Sequence, residues 1–120
     1  MKNSLLFVLL LLLVKPIFGQ TLDWSKSIGS TGSDVNRAMA VDAAGNVYTT
    51  GTFAGTVDFD PGAGTFLLGA TGISNIYVQK LTPTGDFVWA KAMVGPEISR
   101  PYSMAVDAAG NVYSTGFYAG

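Results

Sequence analysis

Residues 40–51 read AVDAAGNVYTTG and residues 105–116 read AVDAAGNVYSTG, so a twelve-residue stretch returns with one substitution. In each copy a short apolar run stops at an aspartate, Asp42 or Asp107, and resumes after Gly-Asn. The turn chemistry follows from the residue types. The carboxylate caps the turn, two alanines accept right-handed helical angles, and Gly45 or Gly110 takes the positive φ that closes a tight hairpin. The flanking residues alternate at a period of two, which reads as strand on either side.

Working outward, Val41 set on Val106 gives an offset of 106 − 41 = 65 that holds without gaps from 22–55 to 87–120. Sixteen of the 34 pairs are identical, among them Trp24 with Trp89 and Lys26 with Lys91; chance would give roughly two, so the chain is internally repeated. Strands are expected at 22–28, 37–41, 46–53, 75–81, 86–93 and from 102 onward. A small extra hairpin is expected from 56–59 and 65–68, around Asp60-Pro61-Gly62. Thr82-Pro83-Thr84-Gly85 repeats the turn logic between 75–81 and 86–93, with Pro83 fixing φ and Gly85 in the place of Gly45. No stretch sustains a helical period, so the chain reads as all-β. A unit of four hairpin-linked antiparallel strands fits a β-propeller blade.

Residues 1–19 stand apart. Lys2 precedes an unbroken apolar run, LLFVLLLLLV at 5–14, which ends at Lys15-Pro16. Ten apolar residues are too few to span a bilayer core of about 30 Å at about 1.5 Å each, but suit a signal peptide cut after Gly19. The expectation is an exported chain, secreted or at the cell surface, with no transmembrane span once the signal is removed. Residues 20–120 would then carry five Lys and Arg against eight acids, 5 − 8 = −3. Nothing in that balance calls for a nucleic-acid partner, which needs clustered cations. The sequence has no Cys and no His. Disulfides, the usual zinc sites, Ser-His-Asp triads and thiol nucleophiles are therefore excluded within these residues.

The run W-A-K (89–91), A-V-D-x-x-G-N-V-Y-x-T-G (105–116), G-T-V-D-F-D-P-G (55–62), I-Y-V-Q-K-L (76–81) and G-D-F-V-W-A-K (85–91) resembles the bacterial β-propeller repeat family called SBBP. The resemblance spans residues 22–120. It implies about one and a half four-stranded blades: a full one over 37–93 and the start of the next over 102–120. Residues 22–28 match the outermost strand and would close the ring from another blade. Propellers close with four to eight blades, so the chain is expected to be an N-terminal fragment whose partners include further blades. Alone, it would expose unpaired edges. The resemblance brings no catalytic residues with it.

Function on such a scaffold belongs to variable loops. The turns Asp42–Asn46 and Asp107–Asn111 are identical, whereas GSTGSDVN (29–36) and VGPEISRP (94–101) share nothing. Ser33, Asp34, Asn36, Arg37, Glu97, Ser99 and Arg100 are thus the candidate ligand-face residues. Asp58 and Asp60, two apart, could share a calcium ion, although Asp-Pro-Gly is also an ordinary turn. Trp24, Trp89, Tyr48, Tyr77 and Tyr113 sit at strand positions and read as packing between blades rather than a sugar platform. The leading expectation is a non-catalytic binding scaffold for a protein or glycan. Its alternatives are a secreted enzyme with its site in the channel and a structural or adhesive surface protein.

Overall fold

A computed structural model describes residues 19–119. The expected signal peptide therefore lies, apart from Gly19, outside the described residues. Eight strands follow one another: β1 (Val35–Val41), β2 (Val47–Phe53), β3 (Thr56–Asp58), β4 (Leu67–Gly69), β5 (Asn75–Leu81), β6 (Phe87–Met93), β7 (Ser99–Val106) and β8 (Val112–Tyr118). The all-β expectation is met, and no described helix is long and apolar enough to cross a membrane.

The central unit is a four-stranded antiparallel sheet in the order β1-β2-β5-β6. The register pairs Tyr48 with Lys80 and Lys80 with Trp89, and then Thr50 with Val78 and Val78 with Lys91. These side chains share one face because strand residues alternate. The opposite face carries Val47, Thr49, Phe53, Tyr77, Gln79 and Leu81. Its core is aromatic: Phe53 meets Phe59 edge-on at 5.4 Å, and Phe59 lies 4.9 Å from Tyr77. Burial in this cluster pushes the Tyr77 phenol up to about 12.

The small hairpin expected from 56–59 and 65–68 forms as β3-β4, its second strand starting two residues later at Leu67, and pairs Thr56 with Gly69 and Asp58 with Leu67. It folds onto the Phe53 face, where Val57 and Phe59 are fully buried and the Phe59 carbonyl accepts from Gln79 Nε2. The second repeat copy forms its own two-stranded sheet, β7-β8. It covers the Tyr48 face, with β7 lying against β1, β2 and β5.

Two expectations are corrected. Residues 22–28 form no strand. Their sequence counterpart, Phe87–Met93, already fills the outer place beside β5, so the segment runs as a strap over the Phe53 face. There the Trp24 indole N–H donates to the Pro83 carbonyl at 2.8 Å. In addition, β1 and β7 begin earlier than the sequence suggested, at Val35 and Ser99. Both continue past a bulge at the same repeat position, between Asn36 and Ala38 and between Pro101 and Ser103. Each bulge presses its strand onto a glycine: a Cβ on Gly51 would sit 2.0 Å from Val35 O, and one on Gly116 2.2 Å from Arg100 O.

Candidate functional site

At one end of the sheet the repeated turns are built alike. Asp42 Oδ1 accepts from the Ala44 and Asn46 amides at 3.0 and 2.9 Å, and Oδ2 accepts from Asn46 Nδ2 at 2.8 Å and the Tyr48 hydroxyl at 3.1 Å. Asp107 does the same with Ala109, Asn111 and Tyr113, at 3.0, 2.8, 2.8 and 3.2 Å. Gly45 and Gly110 take φ of 86° and 82°. Sequence reasoning had found the Asp and Gly but not the tyrosine hydroxyl; its invariance between copies was the available sign. Both carboxylates thus organise their own turns.

The Asn46 side-chain hydrogen bond, reinforced by amides and the Tyr48 hydroxyl, holds the Asp42 carboxyl below its ordinary range, and Asn111 does so for Asp107. Folding lowers these values, so the stability gained is present above the unfolded carboxylate value of about 3.9 and lost as pH falls through the folded one. The urea midpoint is expected to drop below about pH 4. Replacing both residues (Asp42→Asn with Asp107→Asn) should flatten that drop against the background left by Asp58, whose carboxyl the Phe66 and Asp60 amides also hold low. Parallel profiles for variant and parent would contradict the assignment.

At the other end, Ser33 is an exposed loop residue, Asn36 and Arg37 lie within β1 at its bulge, and Glu97 and Arg100 are exposed. Ser99 belongs to β7 and is fully buried, so it faces no solvent from the loop. Its Oγ has no hydrogen-bond partner among the described residues. Removing an unpartnered buried hydroxyl spares its desolvation cost, so Ser99→Ala is expected to leave stability unchanged or raise it by up to about 1 kcal/mol. A loss above about 1 kcal/mol in urea melts would show that the hydroxyl holds a buried water.

Asp34 is drawn together with Asp58 and Asp60 along a polar cleft of about 590 Å³. Glu97 and Arg100 stand outside it. Each carboxylate already organises backbone: Asp34 Oδ2 accepts from Ser30 N and Oγ at 2.6 and 3.0 Å, Asp58 Oδ1 from the Asp60 and Phe66 amides at 3.0 and 2.8 Å, and Asp60 Oδ1 from Gly62 N at 2.8 Å. Among the described residues no three or more Asp, Glu, His or Cys converge as a metal-ligating group.

The most regular concavities are two seams related by the repeat. In one, of about 530 Å³, Trp89 and Lys91 of β6 face Val112 and Ser114 of β8. In the other, of about 380 Å³, Trp24 and Lys26 of the strap face Val47 and Thr49 of β2. Subtracting 65 from Trp89, Lys91, Met93, Val112 and Ser114 of the first seam gives Trp24, Lys26, Ile28, Val47 and Thr49 of the second. Around the first, Trp89 meets Tyr48 edge-on at 6.3 Å, Lys91 Nζ lies 6.0 Å from the Trp89 ring centre, and Lys80 Nζ lies 5.2 Å from that of Tyr48. Comparison of the chain with family models, curated proteins and solved structures finds no match.

Proposed function

We propose that the chain is part of an exported, non-catalytic β-propeller that serves as a binding scaffold outside the cell. The observation that carries this reading is the pair of seams. The strap takes, against β2, the place that β6 takes against β8, so one stacking relation joins strap to first unit and first unit to second. Repetition of one relation between successive four-stranded units is how blades surround an axis. The strap and the β7-β8 sheet lie on opposite faces of the central sheet, as the preceding and following blades of a ring would. Most residues conserved between copies serve the turns and bulges, and the conserved Trp and Lys line the seams, which supports a scaffold rather than an enzyme. The apolar run at 5–14 supports export, and the resemblance of the motifs to the SBBP repeat supports the same architecture.

The test is to complete the second unit. Because Gly120 corresponds to Gly55, fusing a copy of residues 56–93 after Gly120 continues the repeat in register. The extended chain is expected to unfold more cooperatively, at a higher urea midpoint, and to protect tryptophan from acrylamide quenching. If the extension changes neither midpoint nor quenching, the stacked-blade reading is wrong.

A further inference from the structure

We propose that the seam between stacked units binds an acidic sugar ring, a pyranose bearing a carboxylate; this rests on the reading of the chain as a stack of repeat units. One strand supplies an indole and an ammonium two residues apart, Trp89 with Lys91 or Trp24 with Lys26, and the facing strand supplies a valine and a hydroxyl residue, Ser114 or Thr49. An aromatic surface takes the apolar C–H face of a pyranose, the ammonium takes a carboxylate, and the hydroxyl takes a ring hydroxyl. A mostly apolar cleft with a few placed polar groups is the usual form of a small-ligand site, and the volumes of about 530 and 380 Å³ fall in its usual range.

The charged side chain lining each seam is a lysine, Lys91 in one and Lys26 in the other, and Lys91 Nζ stands 6.0 Å from the Trp89 ring centre. A seam built for packing alone would place apolar side chains there, yet lysine recurs at this position in both copies. The strap seam, which faces the complete β1-β2-β5-β6 sheet, is open as well.

The experiment titrates the full chain with glucuronate, glucose and acetate while following tryptophan fluorescence, since both tryptophans line seams. Glucuronate is expected to give a saturable change, with glucose, which lacks the charge, and acetate, which lacks the ring, each at least about tenfold weaker. Lys26→Gln with Lys91→Gln should weaken glucuronate about tenfold, the loss of a charge-assisted contact, with the urea midpoint unmoved. No saturable response, an equal response to glucose or to acetate, or an unchanged response in the lysine variant overturns the inference. If the extended chain gains stability while glucuronate gives no saturable change, the stacking stands and the sugar site falls. If glucuronate binds while the extension gains nothing, the site stands and the stacking falls.

Discussion

Replacing Gly51 with alanine is expected to cost about 3 kcal/mol or more and to remove most of the cooperativity of unfolding. The added Cβ would lie 2.0 Å from Val35 O, 2.9 Å from Asn36 Cα and 2.9 Å from Tyr77 Cε1. Two of those atoms are backbone in β1, held by the β1-β2 ladder on one side of the bulge and by the loop on the other, so they cannot swing aside as a side chain would. Relief requires β1 to pull away from β2, which unpairs the edge of the central sheet. A domain with only about 5–15 kcal/mol of stability does not absorb that easily. Gly116→Ala should act likewise in the second copy, where the Cβ would meet Arg100 O at 2.2 Å. Gly69→Ala is the control, because nothing lies within 4 Å of its Cβ and its φ is not positive. Urea melts of the three variants decide the matter. A Gly51→Ala midpoint equal to that of Gly69→Ala would show that the bulge does not constrain the strand.

The same glycine shows where sequence reasoning succeeds and stops. The hairpins around Gly45, Gly85 and Gly110 were legible because a turn is local: their φ values of 86°, 83° and 82° are what the residue types dictate. The final glycine of each repeat was visible as an identity, yet its cause is a bulge in a neighbouring strand, and bulges leave no pattern of period two. Ser99 was misplaced for the same reason, since the bulge at Tyr102 lets β7 begin three residues early. The strap failed differently. Trp24 and Lys26 match Trp89 and Lys91, but a strand needs an edge to pair with: the place beside β5 is taken, and among the described residues no further four-stranded unit offers another. The seams were half legible: their aromatic residues were expected to pack between units, whereas the lysines beside them became notable only once both clefts could be superposed by the repeat. The face on which the β3-β4 hairpin lies was not legible at all, because the sequence offers no second instance of residues 56–74 to compare.

That hairpin should come away when Phe59 is truncated. Phe59→Ala is expected to cost about 3–5 kcal/mol, the usual range for removing a buried aromatic ring. Phe59 is fully buried, its ring contacts both Phe53 and Tyr77, and its carbonyl receives the buried Gln79 amide. Loss of the ring opens a cavity beneath the hairpin and removes what aligns that carbonyl, leaving Gln79 to find water or stay unpaired. The hairpin's own ladder is three residue pairs long and Leu67 is exposed, so beyond Phe59 it is held through buried Val57 and the Phe66 ring, 4.9 Å from that of Phe87. Local unfolding of a weakly anchored element precedes global unfolding. Limited proteolysis should therefore cut residues 60–66 in Phe59→Ala while the parent and Leu67→Ala stay intact, and the amides of β3 and β4 should exchange faster than those of β2 and β5. Equal cleavage of Phe59→Ala and Leu67→Ala would mean that the hairpin is held through its turn, where Asp58 and Asp60 gather the amides, and not through its contact with the sheet.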